Sequence, residues 1–250
     1  MYHIVIPARF AASRLPGKPL LDIAGQPMIW WVWQRACAAS AESVTVATDD
    51  ERIAQVMTEA GADVAMTLPD HPSGTDRLAE VVSQRGWAPD SIVVNLQGDE
   101  PLMPVENLEQ VASLLAADSA ASIATLSEPL ESLSQLDDPS VVKVVSNQQG
   151  QALFFSRAPL PRPRDSSDDM RALALSTARR HVGLYAYRAS FLNSFVSWPT
   201  GSLERLEGLE QLRALEHGHR IAVAPAMHSV PPGVDTQSDL DRIRALLGAA

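Results

Sequence analysis

Cysteine is nearly absent from this 250-residue chain. With Cys37 alone, no internal disulfide and no cysteine-based metal centre can form, which suits a reducing compartment. A lone thiol of this kind is expected to pack as a small buried hydrophobe. No run of 18 apolar residues occurs, so no membrane insertion is expected. The opening MYHIVIPARF lacks the basic region and long apolar stretch of an export signal, and a cytoplasmic location is expected. Lysine is scarce as well, with only Lys18 and Lys143 among 20 cations. Thirty acids outweigh those cations for a net charge of -10, which argues against nucleic acid as a partner. The deficit is uneven. Residues 1–21 hold three cations and no acid, and residues 157–188 hold seven arginines against three aspartates.

What is present is a βα rhythm. His3-Ile4-Val5-Ile6 reads as a buried strand, and Pro27 opens an apolar helix to about Ala39. Strands at 43–47 and 63–66 alternate with helices at 50–60 and 74–84, and Ser91–Leu96 is the most strand-like run of all. Continuous apolar strands joined by helices predict an α/β fold: a mostly parallel sheet with helices on both faces. After Ala121 the pattern turns strand-rich, with runs at 122–126, 141–145, 152–156 and 181–187 and a hairpin signal at Asn147–Gly150. One α/β domain over 1–250 is expected, with an inserted, more antiparallel sub-region at about 121–190. Residues 157–180 read as a long mobile loop. Helices are expected near 203–216 and 238–247, around a strand at 221–224.

Four segments carry candidate chemistry. PARFAASRLPGKPL follows the first strand, where α/β sheets place ligands, and its cations and amides suit phosphate oxygens. It is neither GxGxxG nor a Walker A loop, and a solvated basic loop is an equal reading. NLQGDEP closes the best strand, placing Asp99 either to hold Mg²⁺ against phosphates or in a simple turn. HPSGTDR precedes a helix that Ser73 or Thr75 can cap. In PPGVDT, Asp235 is read first as a helix cap and second as a metal ligand. Lys143, flanked by valines, reads either as an edge residue or as a pocket cation. Histidines 217 and 219 read as solvated. Trp30, Trp31 and Trp33 cannot share one helix face.

In this order and spacing, the segments resemble the 3-deoxy-manno-octulosonate (KDO) cytidylyltransferases. The likeness runs from PARFAASRLPGKPL through HPSGTDRLAEV, NLQGDEP, VVKVV, LFFSRAPLP, RHVGLYAYR and LEGLEQLRALEHG to PPGVDTQSDLDR. It implies a nucleotidyltransferase type A-like sheet and the reaction CTP + KDO → CMP-KDO + pyrophosphate, which serves lipopolysaccharide synthesis. By the resemblance, Arg9, Lys18 and Asp99 carry catalysis. Ala8, Arg9, Ser13, Arg14, Lys18, Ser73, Arg77 and Gln97 bind nucleotide. Gln97, Arg157, His181, Tyr185, Glu210 and Gln211 bind the sugar, and Asp99 and Asp235 bind Mg²⁺. A second Mg²⁺ on the triphosphate and a homodimer through the strand-rich part are also implied. Another acid sugar (8-amino-KDO or sialic acid) and a non-catalytic nucleotide-binding regulator are the alternative functions.

Overall fold

In a computed structural model, residues 1–11, 15–165 and 167–248 are described. Strand β1 (Tyr2–Ala8) leads through one turn of 3-10 helix at Lys18–Leu20 into a small hairpin, β2 (Asp22–Ile23) and β3 (Gln26–Pro27), and then α1 (Met28–Cys37). The alternation continues with β4 (Ser43–Thr48), α2 (Glu51–Glu59), β5 (Asp63–Met66), α3 (Gly74–Arg85), β6 (Ile92–Asn95), α4 (Val105–Ala117) and β7 (Ala121–Pro129). Then follow α5 (Leu133–Asp137), β8 (Lys143–Ser146), β9 (Ala152–Ser156), α6 (Asp168–Thr177), β10 (Arg179–Arg188) and α7 (Ala189–Phe195). The chain ends through α8 (Ser202–Glu207), α9 (Gln211–Glu216), β11 (Arg220–Pro225) and α10 (Gln237–Gly248).

The main sheet runs in the order β11-β7-β10-β6-β1-β4-β5. Its pairings are parallel from β6 through β1 and β4 to β5, and again between β7 and β11. Along this path only β10 runs against its neighbours. The β8–β9 hairpin hangs from β10 by a short antiparallel contact. The expected mostly parallel sheet is therefore found, and β7 and β11, from the strand-rich half, extend its parallel grain.

Both faces of the sheet are covered, which explains the unbroken apolar strands. Successive side chains of a strand point to opposite faces. Ile4, Ile6 and Ala8 accordingly join Ile29, Val32, Ile53 and Leu108 in one core layer. Val5, between them, joins Leu78, Val81, Phe191 and Leu212 in the other. A third cluster seats α10 against Ile23 and Met28, through Val234, Leu240 and Ile243.

Some local expectations need correction. The stretch read as a loop at 157–180 contains α6, whose only buried residue is Ala174. The helix expected at 203–216 is two short ones, because Gly208 ends α8 in the left-handed conformation (φ 63°). Cys37 is exposed at the end of α1 rather than buried. Trp30, Trp31 and Trp33 are all half-buried. Lys143 is neither an edge residue nor a pocket cation. It is fully buried, and its ammonium donates to the carbonyls of Asp138 (2.8 Å), Val141 (2.6 Å) and Arg157 (2.7 Å). His217 is exposed and stacks on Trp198, whereas the half-buried His219 is bonded to Ser122 Oγ at 2.8 Å.

Candidate active site

After β1 the chain lays β4 and β5 on one side and then returns to place β6 on the other. The carboxyl ends of β1 and β6 thus form a topological switch point, where open α/β sheets leave a crevice. Close approach of the two strand ends dictates the glycine that follows β6. A Cβ on Gly98 would lie 2.7 Å from the Pro7 carbonyl oxygen and 3.3 Å from Ile29 Cδ1.

The first cleft, of about 180 Å³, lies here. Ala8, Arg9, Lys18, Gly98 and Asp99 form its walls, with Gly74 and Gln97 at one edge. Arg9 brings a buried guanidinium nitrogen, Nη2, without a hydrogen-bond partner among the described residues. The neck of the basic loop is closed by the Gly17 amide on the Phe10 carbonyl (3.1 Å). Gly17 is left-handed (φ 67°), the Phe10 ring fills the space where its Cβ would be, and the Arg52 guanidinium lies 3.3 Å above that ring. Ser13 and Arg14 lie outside the described residues.

Lys18 sets the electrostatics of this cleft. Its ammonium donates to Asp99 Oδ2 (2.6 Å), to the Val234 carbonyl (2.8 Å) and to Asp235 Oδ1 (3.3 Å). The distant 233–235 segment is brought in by backbone: the Val234 amide donates to the Asp99 carbonyl at 2.9 Å. Gly233 packs so close to that carbonyl that a Cβ would stand 3.1 Å from its oxygen. At the start of α10 the Asp239 amide points to Thr236 Oγ1 (3.3 Å), so Thr236, not Asp235, caps the helix. The two carboxylates and one carbonyl are hard oxygen donors of the kind Mg²⁺ takes, and one cation already lies among them. That donor set fits the metal.

Thr75, Asn95, Glu100, His181, Tyr185, Tyr187, Glu210 and Gln211 surround a second cleft of about 280 Å³. Gly74 and Gln97 line this cleft and the first, so the two meet along a shared wall. Strand β10 supplies one side; an irregularity between Val182 and Tyr185 brings Gly183 to the surface of the cleft. His181 Nε2 is 3.1 Å from Thr125 Oγ1. Burial, aided by the Arg180 charge, pushes the His181 pKa down to about 3, so the ring is neutral. Burial, and then the Asp99 charge, pushes the Glu100 carboxyl up to about 8. Tyr185 is held as a phenol, chiefly by burial. The Thr75 hydroxyl donates to Glu210 Oε2 at 2.9 Å. Asn95 Oδ1 and Gln211 Nε2 are buried without a hydrogen-bond partner among the described residues. Acceptors and donors therefore stand ready together, as a polyhydroxylated ligand requires.

Four of the described residues named from the sequence line neither cleft: Ser73, Arg77, Arg157 and Asp235, the last reaching the first cleft only through Lys18. Ser73 caps α3, accepting from the Asp76 amide. Arg77 is fully buried, bonds Thr67 Oγ1 and faces Asp49 at 3.5 Å. Arg157 turns to the Glu207 carbonyl (2.7 Å) and the Pro139 carbonyl (3.0 Å). The cleft also uses residues the sequence reading did not single out as sugar contacts. Tyr187 lies two residues beyond Tyr185 on the same strand face, a period-two signal that could have found it. Asn95 and Glu100 flank Gln97 within the NLQGDEP segment itself.

Three comparisons bear on this geometry. The family profile described as "Cytidylyltransferase" matches residues 3–221. A 3-deoxy-manno-octulosonate cytidylyltransferase of Pseudomonas fluorescens (strain Pf-5) is 56% identical, over 99% of this chain and 98% of its own. That of Chromohalobacter salexigens is 57% identical, over 98% and 95%. A solved CMP:2-keto-3-deoxy-manno-octonic acid synthetase complexed with CTP is 42% identical with a TM-score of 0.90, covering 100% of this chain and 99% of that one. The chain belongs to the cytidylyltransferase family, among its 3-deoxy-manno-octulosonate members.

Proposed function

We propose that the protein transfers the CMP group of CTP to the anomeric hydroxyl of KDO, releasing pyrophosphate, and that it does so with Mg²⁺ held by Asp99 and Asp235. One observation carries this reading: a cation-and-carboxylate cleft and a hydroxyl-matching cleft meet along Gln97 and Gly74. Substrates bound on either side of that wall face each other across it. The sugar oxygen attacks the α-phosphorus, the bond to the β-phosphate breaks, and pyrophosphate leaves with the electron pair while the hydroxyl proton is lost. Little covalent chemistry falls to the protein, so positioning and charge stabilisation set the rate.

Arg9, with its unpartnered guanidinium nitrogen, suits the triphosphate, and Lys18 can share that load. Magnesium held by Asp99 and Asp235 would supply charge neutralisation at the α-phosphate and would favour loss of the proton from the attacking hydroxyl. Gln97 stands at the junction of the clefts, where it can hold the sugar against the nucleotide. Glu210, Gln211, Tyr185 and the neutral His181 address the sugar's hydroxyls and carboxylate. We read the product as a donor for lipopolysaccharide assembly and the enzyme as cytoplasmic, where CTP is available. We read the protein as a homodimer. Among the described residues strand β9 pairs only with β8 within the sheet and leaves Leu153 61% exposed, a surface suited to a second copy.

The test is pyrophosphate release from CTP and Mg²⁺ with KDO, with sialic acid as the control sugar. Release with KDO alone is expected. Release with sialic acid and none with KDO would overturn the assignment. Asp99→Asn is expected to lower kcat by orders of magnitude while circular dichroism and melting stay near wild type. Unchanged turnover would remove Asp99 from the metal site.

A further inference from the structure

Lys18 is held in a position that its expected role on a triphosphate does not explain. An ammonium has three N–H donors. All three of its bonds here go to protein oxygens: Asp99 Oδ2, the Val234 carbonyl and Asp235 Oδ1. None is left for a phosphate. The backbone at the base of this side chain is fixed, since the Lys18 amide donates to the Leu15 carbonyl (3.1 Å) directly after left-handed Gly17. The Asp99 contact is short and partly buried, whereas the Asp235 contact is longer and lies at the surface.

We infer that Lys18 is the internal counter-ion of the metal-binding carboxylates: it takes the place of a divalent cation between Asp99 and Asp235 and competes with it. The inference rests on the reading of those two residues as metal ligands. Two carboxylates facing one point repel unless a cation lies between them, so the ammonium keeps the pair in place when no metal is bound. The same contact makes metal binding to the nucleotide-free protein unfavourable, because a metal must displace the lysine before it reaches both oxygens. An arriving triphosphate offers the ammonium other oxygens, close by in the same cleft. Nucleotide and metal therefore favour each other's binding: one draws the lysine away and the other fills the place it leaves. Such linkage is reciprocal.

The experiment is isothermal titration of Mg²⁺ into nucleotide-free protein, with wild type, Lys18→Met, Lys18→Gln and Arg9→Met. Both Lys18 variants are expected to bind Mg²⁺ about tenfold more tightly than wild type, the size of one charged hydrogen bond removed from the competitor. Arg9→Met removes the same charge from the same cleft without touching either carboxylate, and its gain is expected to be much smaller. In EDTA the Lys18 variants should melt below wild type and recover when Mg²⁺ is added. Affinity equal to or weaker than wild type in whichever Lys18 variant folds would overturn the inference, as would an equal gain in Arg9→Met. Adding Asp99→Asn to Lys18→Met separates the two readings. Loss of the gain supports both, whereas its persistence would show that the metal assignment, not the lysine, is at fault.

Discussion

Thr75→Val is the perturbation that most directly asks whether the sugar-side wall is held in position. The Thr75 side chain is 6% exposed and donates to Glu210 Oε2 at 2.9 Å. Tyr187 and Asn95 line the same cleft beside it, so the hydroxyl belongs to a row of polar groups along one wall. Valine keeps the branched shape and removes only the donor. A hydrogen bond to a charged group contributes about 1.5–3 kcal/mol, which corresponds to roughly ten- to hundredfold in an equilibrium. Glu210 is half-buried, and water can replace part of the lost bond, so the effect falls at the lower end. The expected result is a rise of about tenfold in KM for KDO. KM for CTP should be little changed, because Thr75 borders only the second cleft. The assay is steady-state pyrophosphate release with each substrate varied in turn at saturation of the other. Thr75→Ser should restore KM. Combined with Glu210→Gln, the valine change should add little, since both act on one contact. An unchanged KM for KDO, an equal rise for both substrates, or full additivity with Glu210→Gln would refute the reasoning.

Lys143→Met should cost about 2–4 kcal/mol, since three part-buried carbonyls lose the charged donor of a fully buried side chain; a loss under about 1 kcal/mol in urea unfolding would refute this. Gly98→Ala must push the Pro7 carbonyl aside, costing about 1–3 kcal/mol and raising KM for CTP; a neutral alanine would show that the strand ends are not tightly set. Glu100 gives stability a defined pH dependence. Its folded pKa of about 8 exceeds the ordinary 4.5, so between those values the folded protein keeps a proton that the unfolded chain releases. Stability therefore falls as pH rises through that window, by on the order of 3–5 kcal/mol. Glu100→Gln should flatten this slope in urea unfolding at pH 5 and pH 8, and equal slopes in both proteins would remove Glu100 as the cause.

The parallel half of the sheet is legible in the sequence because β1, β4 and β6 are largely buried and write short apolar runs, and the edge strand β5 follows in the same rhythm. The position of β10 is not. Its residues look like those of any strand, and its insertion between β6 and β7 depends on partners 50 to 96 residues away. Helix α6 is hidden for the opposite reason. Only Ala174 is buried, so the packing that would imprint a period of 3.6 is missing. At the site, short motifs at strand ends mark where ligands lie, since backbone direction fixes those positions. Side-chain direction is another matter. Arg77 and Arg157 belong to recognisable motifs, yet Asp49 and Thr67 face the first, while the Glu207 and Pro139 carbonyls hold the second. Nothing local in the sequence announces those partners. Asp235 is ambiguous in the sequence because a helix cap and a carboxylate turned to a neighbouring lysine share the same local signal. The choice is made by the Val234 amide on the Asp99 carbonyl, a contact across 135 residues.

The wall shared by the two clefts has a consequence for the end of the reaction. With one substrate in each compartment, as proposed, the joined sugar nucleotide would lie across both, anchored on either side of Gln97. It leaves as a single piece and must release two sets of contacts together, whereas pyrophosphate releases one. The product should therefore linger and exclude both incoming substrates at once, which makes turnover sensitive to how quickly the next enzyme draws it off.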